Sequence, residues 1–403
     1  MLQNTLKLLT LILLFSCGTS NTTVENKVEQ STDSIGFEYT VEFSQEWTDL
    51  FYRKSGWFGA DGIFSFTLNG VDSTASGENQ RTLLTFSDTY IGEVVDNKPL
   101  PGNTMVNNTV AYINGIEPNK EEISFHYKMD KDGKPATFFI PDNENAKPGQ
   151  YYWLGDGFIN REDEGKLYLI AYHVEKTGPN VFDFALSNVS LLIIPDPSKP
   201  DFDDYEQITT PLHISNERFG EADMGGGFFV NTEWAGAPNP DGFVYVYGCL
   251  GEKKELAVAR VKPATFKDFD TWTYWNGNSW VEDINQMVAV AENVSNELSV
   301  SPMKNGKYIL VYQVMGLSDK VAVRIGESPY GPFDEPIEIW TTPEFNQPPG
   351  IFPYNAKAHP SLSKPGELLI SYNTITFDFW NDIQENAHIY RPRIIILKSK
   401  SLR

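Results

Sequence analysis

Trp57-Phe58-Gly59-Ala60-Asp61-Gly62 runs into Ile63-Phe64-Ser65-Phe66-Thr67-Leu68. After residues 69–80 comes Arg81-Thr82-Leu83-Leu84-Thr85-Phe86-Ser87-Asp88-Thr89-Tyr90. Both apolar runs have the length and composition of strands. The stretch between them, with two Gly, Asp and Ser, breaks any helix. The simplest structure is an antiparallel hairpin, in which the start of one strand lies beside the end of the other. Asp61 stands at that start and Asp88 at that end, so two carboxylates distant in sequence meet at one rim. Acid/base or nucleophilic chemistry on a glycosidic bond needs such a pair. In one hairpin alone, Asp-Gly and Asp-Thr read better as turn and cap residues. Other hairpins have to decide.

The theme recurs four times: a polar residue opens a strand, a turn follows, and a second strand closes on another polar residue. The second copy is Trp153-Leu154-Gly155-Asp156-Gly157, a turn at Asp163-Glu164-Gly165, and a return to His173. The third begins at Glu221-Ala222-Asp223 and turns at Asn239-Pro240-Asp241-Gly242. The fourth is Glu297-Leu298-Ser299-Val300, turning at Lys304-Asn305-Gly306 and returning to Gln313. The fifth is Ala358-His359-Pro360, turning at Lys364-Pro365-Gly366. One or two further strands follow each pair, and no long amphipathic helical pattern interrupts them. Five four-stranded units predict an all-β, five-bladed β-propeller spanning residues 36–403. A sandwich of two jelly-roll sheets is the competing all-β layout, and it would not gather five hairpin ends.

A propeller turns those ends toward one central pocket. Asp61, Asp88 and Glu297 are the expected catalytic carboxylates. Trp57, Tyr90, Asp156, His173, Asp223, Gln313 and His359 are the expected substrate-binding groups. Trp153, Trp234 and Tyr354 join Trp57 and Tyr90 as aromatics expected near the funnel, and Asn108 is expected near its rim. Each of these aromatics reads individually as core. His359 could orient a carboxylate, bind substrate or hold an axial ion such as calcium through water, or be a satisfied core histidine. No cofactor is expected. His126, His213 and His388 receive no role. Residues 37–43 alternate apolar and polar and are expected to close the ring as the outermost strand of the last blade, beside residues 391–398.

The rest of the sequence narrows the function. Aromatics are 13% and hydrophobics 40% of the 403 residues, the composition of an ordered globular chain. A formal net charge of −22 argues against nucleic acid and against an anionic membrane surface as partners. Lys7, the apolar run 8–15 and Leu14-Phe15-Ser16-Cys17 have the proportions of a signal peptide ending in a bacterial lipobox. The expectation is a signal over residues 1–16, lipidation at Cys17, a tether over 17–35, and an envelope location at the membrane. Cys249 is then the only thiol of the body, and a packed core residue. No GxSxG, HExxH or P-loop occurs, and Gly225-Gly226-Gly227 precedes a strand rather than a helix.

Gly59-Ala60-Asp61-Gly62 followed by Leu84-Thr85-Phe86-Ser87-Asp88-Thr89-Tyr90 resembles a bacterial family catalogued as a domain of unknown function. Some of its members are endo-D-arabinanases. Glu297-Leu298-Ser299-Val300, Ser328-Pro329-Tyr330-Gly331-Pro332, Ala358-His359-Pro360 and Tyr390-Arg391-Pro392-Arg393 extend the likeness. Ser87 and Ala60 stand where Gly and Thr are common in the arabinanases. The resemblance implies the five-bladed propeller shared with arabinanases and invertase-like enzymes, with Asp61 and Asp88 as the catalytic pair. The expected protein is a monomeric cell-envelope glycoside hydrolase whose partner is a polysaccharide or oligosaccharide. A non-catalytic glycan-binding lipoprotein using the same funnel is the alternative, and an envelope scaffold binding a protein through its rim loops the third.

Overall fold

The computed structural model describes residues 29–32 and 36–403. The expected signal, Cys17 and most of the tether lie outside the described residues. The described chain is nearly all β, and among the described residues no helix is long and apolar enough to cross a membrane.

Five antiparallel blade sheets follow one another along the chain, beside a smaller sheet built on Ser55–Ala60 and Thr89–Val95 and a two-stranded ribbon of Lys128–Met129 with Pro135–Ala136. The inner strands are Phe64–Thr67, Tyr151–Asn160, Gly220–Asn231, Leu298–Pro302 and Ile351–Ala358. They adjoin in that order. The 3-10 turn Pro360–Leu362 brings the fifth back against the first. Five separate hydrophobic clusters fill the five gaps between consecutive sheets. Each sheet is therefore sealed on both faces, which explains the unbroken runs of Val, Ile, Leu and Tyr where a one-sided sheet would alternate. The expected propeller is thus found, with five sheets as its blades.

The inner strands are also stitched to each other by polar side chains. Ser87 Oγ accepts from the Leu154 amide (2.9 Å), and Asp156 Oδ2 from the Phe228 amide (2.7 Å). Ser299 Oγ accepts from the Ala358 amide (2.8 Å), and His359 Nδ1 pairs with Ser65 Oγ (3.0 Å). A buried backbone donor without a partner is costly, so these contacts both satisfy the strands and set their stagger.

The strand over residues 37–43 closes the ring as expected. Glu38–Phe43 pairs with Arg393–Lys398, Val41 opposite Leu397 and Phe43 opposite Ile395. It is not the outermost strand, because Glu29–Thr32, within the stretch read as tether, pairs with it from outside.

Four of the five inner strands share one irregularity, Leu298–Pro302 being the exception. Register shifts fall at Leu154/Gly157, Met224/Gly227 and Tyr354/Lys357, at the same level around the axis as the break between Ala60 and Phe64. Bulges re-aim side chains and let a strand bend. Beyond that level, blade one continues as a second hairpin, Ser55–Ala60 against Thr89–Val95. At the opposite end, residues 69–80 lie across the axis. The Asp72 amide donates to Ala235 O in blade three, and the Ala75 and Gly77 amides donate to Ser363 O and Ser361 O in blade five.

Candidate active site

Asp61 and Asp88 sit where blade one passes into its upper hairpin. The Asp61 amide donates to Asp88 O (3.4 Å) and the Ser87 amide to Asp61 O (3.0 Å), so the two residues face each other across the hairpin. Gly62 makes this turn available: its φ is +63°, and a Cβ there would stand 2.8 Å from Ser87 Oγ. Both carboxyls are half-buried. Tyr354, from the inner strand of blade five, donates its hydroxyl to Asp61 Oδ2 at 2.6 Å, and the Tyr390 hydroxyl also faces this carboxyl. Asp61 Oδ1 has no partner. Asp88 accepts from Asn107 Nδ2 at 3.0 Å and lies beside the Trp153 indole.

Burial dominates the electrostatics. It pushes Asp61 up to about 7, with the charges of Asp88 and Glu297 adding to the rise and the Tyr354 hydroxyl opposing it. Asp88 is pushed up to about 6 by burial, against the hydrogen bonds of Asn107 and Trp153. Two such groups titrate as a pair, and near neutral pH they hold one proton between them.

Glu297 immediately precedes the inner strand of blade four. The Lys357 ammonium pairs with its Oε2, and Asn355 Nδ2 donates to Oε1 at 2.7 Å. Lys357 is only 2% exposed. Its ammonium lies 4.4 Å from the centre of the Phe64 ring, so it has exchanged water for a carboxylate and an aromatic face. Asn355 adopts φ +59° at the bulge, a conformation Asn tolerates well, and this turns its amide toward Glu297. Burial raises the Glu297 carboxyl and Lys357 opposes the rise.

Below this level the axis holds a cavity of about 50 Å3, room for a few waters, lined by Asp72, Asp156, Lys357 and His359 among others. Asp156 is pushed up to about 8 by burial, although its oxygens accept from the Gly157 and Phe228 amides. The axial calcium expectation does not fit this donor set. Among the described residues no three His, Cys, Asp or Glu converge as a metal site, and Lys357 already brings a cation to the cavity wall.

Several expected funnel residues lie elsewhere. Trp57 is 2% exposed and stacks on Phe125 at 4.4 Å in the core between blades five and one. Tyr90 is buried against Phe58 and Tyr390 (5.5 and 6.3 Å), so its ring serves as packing beneath the site. His173 lies on the second strand of blade two, between Ser190 Oγ (2.7 Å) and Gln150 Oε1 (3.3 Å), and burial lowers it to about 4. Gln313 donates to Ser318 O and Lys320 O and ties down its own loop. Asp156 is the tie between blades two and three. His359 bridges Ser65 and Ser371 (2.8 Å) and is pushed down to about 3 by burial, a satisfied core histidine on the cavity wall. Asp223 is on the upper side but paired with His213 Nδ1 (2.8 Å), a histidine expected to carry no role. Trp234 bonds Glu162 (3.1 Å) near the turns at the far end, not the funnel. Asn108 is buried, fastening Phe139 and Tyr152 backbone, and its neighbour Asn107 is the one that reaches Asp88.

Lys357, Asn355, Tyr390 and Asn107 are the site residues sequence reasoning did not single out, whereas Tyr354 was expected near the funnel and is found there, on Asp61. The available signal was a lysine inside the mostly apolar strand Ile351–Ala358, because a charge there must have a buried partner.

No curated protein matches the sequence. A solved structure of a putative hydrolase from Bacteroides ovatus is 20% identical, with 92% of this chain and 93% of that one aligned at a TM-score of 0.69. That likeness shows a shared fold. Two further structures align more loosely. A protein of unknown function from Dyadobacter fermentans is 12% identical over 87% of this chain and 97% of that one, TM-score 0.43. An α-L-arabinofuranosidase from Podospora anserina is 13% identical over 86% and 98%, TM-score 0.43. The family described as "Domain of unknown function (DUF5005)" matches residues 44–399, nearly the whole propeller, and the chain belongs to that family.

Proposed function

We propose that this protein hydrolyses glycosidic bonds, with Asp61 and Asp88 as the reacting pair and arabinofuranosyl polymers as the first substrates to test. The observation that carries the reading is the pair itself: two half-buried carboxyls set opposite each other by one hairpin, one held by the Tyr354 hydroxyl and the other by Asn107, with burial raising both. Asp61, with Oδ2 engaged by Tyr354 and Oδ1 free of partners, is the proton donor to the leaving glycosidic oxygen. Asp88, supplied with a hydrogen bond by Asn107, is the carboxylate. It either attacks the anomeric carbon or takes a proton from the water that does so. One water is consumed, its hydroxyl going to the anomeric carbon and a proton to the leaving oxygen. Lys357 and Asn355 engage Glu297 and Lys357 opposes the rise that burial imposes on it, while the Glu297 charge adds to the rise of Asp61.

The N-terminal sequence supports a lipid anchor at Cys17 and an envelope location for the monomer. Cys17→Ala should release the protein from membranes. The function is tested by product analysis on a panel of arabinans and other furanosyl polymers, with Asp61→Asn and Asp88→Asn as controls. New reducing ends that vanish in both variants support hydrolysis. Polymer binding without any cleavage would make the protein a glycan-binding lipoprotein instead.

A further inference from the structure

Blade two sends the loop between Lys166–Lys176 and Phe184–Ile194 past blade one to the last blade. There Phe182 meets Phe352 and Phe377, each at 5.8 Å between ring centres, and Phe352 meets Phe377 at 4.8 Å. Trp380 stands on the adjoining helix Phe379–Glu385, with the Lys176 ammonium 5.7 Å from its ring. Phe377 is 70% exposed, Phe182 40% and Trp380 38%, so three large aromatics on contacting or adjoining segments present their surfaces to solvent. A cluster of this kind, unlike a single exposed ring, marks a binding surface.

The crest is held stiffly. Asp183 Oδ2 accepts from both the amide and the side chain of Asn180 (2.8 Å each), which fixes the turn carrying Phe182. The helix is pinned to blade one by Asn103 with Gln384 and by the Ala387 amide donating to Asn97 O. The crest is also continuous with the carboxylates. Phe352 lies two residues before Tyr354, whose hydroxyl is on Asp61. On the other side Phe184 packs 4.6 Å from Trp153, the indole beside Asp88. A run of rings therefore leads outward from the acid pair.

We propose that Phe182, Phe377 and Trp380 form a platform for the ring faces of a neutral glycan, beyond the sugars that engage Asp61 and Asp88. The proposal rests on the glycan reading of the site. The occupant follows from chemistry: sugar rings offer C–H faces to aromatic surfaces and hydroxyls to amides and carboxylates. Here the rings alternate with Asn180, Asp183, Asp378 and Asn381. Those carboxylates, and the net charge of −22, disfavour an anionic polymer or an anionic lipid surface.

The test uses the Asp61→Asn protein, which keeps substrate intact, and calorimetry with neutral arabino-oligosaccharides of two to six units and the parent polymer. Unaltered crest should give affinity that climbs with chain length. Phe377→Ala with Trp380→Ala should flatten that climb and weaken polymer binding roughly tenfold, the effect of losing aromatic anchors worth more than 1 kcal/mol. Phe377→Tyr with Trp380→Phe should retain it, which separates ring stacking from damage to the fold. Equal length dependence in the alanine variant overturns the platform and leaves the proposed function standing. No binding of any sugar by the unaltered crest overturns both. Crest-dependent binding to phosphatidylcholine vesicles, with sugar affinity unchanged, would make the patch a lipid contact and overturn the proposal.

Discussion

The Tyr354 hydroxyl donates to Oδ2 of Asp61 at 2.6 Å, so the inner strand of the last blade holds a carboxyl of the first. Ring closure and the acid pair are therefore coupled, and Tyr354→Phe should affect both. Losing one hydrogen bond to a carboxyl removes an opposing influence on its proton affinity, so the alkaline limb of the pH–rate profile should move up. A profile unchanged from wild type would show that the hydroxyl does not act on the reacting group.

Asp61→Asn and Asp88→Asn should each lower turnover by roughly 10³-fold or more, because either change removes the ionisable member of a unit. The wild-type profile should be bell-shaped, with macroscopic limbs close to the values near 6 and 7 of the coupled pair. Activity falls as pH rises through the upper limb because the shared proton is lost. Initial-rate measurements from pH 4 to 9 on one polymer check both statements.

Asp61 also predicts a stability cost. Its folded value, about 7, lies above the ordinary 3.8, so the folded state holds the more protons between these values. Stability therefore falls as pH rises from about 4 to 7, and the full cost is felt above that window. Asp61→Asn should melt higher than wild type at pH 8.5, by about 2 °C, and the gap should shrink at pH 4. Thermal scans at the two pH values decide, and a gap independent of pH would exclude this origin.

Lys357→Met should destabilise the fold by about 3 kcal/mol, because Glu297 would be left buried without its cation. Adding Glu297→Gln should restore part of the loss. A double-mutant cycle by denaturant unfolding reads the coupling, and purely additive effects would mean that the pair contributes nothing as a pair.

Deleting residues 36–44 should lower the melting temperature by more than about 10 °C or abolish soluble expression. The strand buries Tyr39, Val41 and Phe43, and its loss would bare the edge of Arg393–Lys398. An unchanged melting temperature would refute the role of this strand in closing the ring.

The propeller was legible because each blade is local: strand, turn, strand, within one short stretch of chain. The Asp61–Asp88 pairing was legible for the same reason, since one hairpin sets it. What stayed hidden is how partners reach the pair. Tyr354 was expected near the funnel, but its bond to Asp61 crosses from the last blade to the first, which no local pattern encodes. Asn107 reaches Asp88 from a short connection of blade one's own strands that carries no motif. His173 and Gln313 were misread because the second strand of a blade stands one step off the axis, and its end residues turn to neighbouring loops and sheets. Trp57 was misread through a register shift between Trp57 and Gly59, which breaks simple alternation just before Asp61. Asp156 and Asp61 look alike in sequence. They differ because the Gly157 and Phe228 amides engage the Asp156 carboxyl, whereas Oδ1 of Asp61 accepts no hydrogen bond.

Residues 69–80 give the molecule a floor. A propeller open at both ends is a tube through which a polymer could in principle be fed. With its backbone tied to Ala235 on one side and to Ser361 and Ser363 on the other, this loop turns the tube into a cup. On the proposed function, a long glycan would then lie across the lip, dip one linkage toward the carboxylates, and leave by the way it came. Cutting along a fixed strand would require sideways sliding over the rim, so the shape of the rim, not of the bore, decides which linkages are reached.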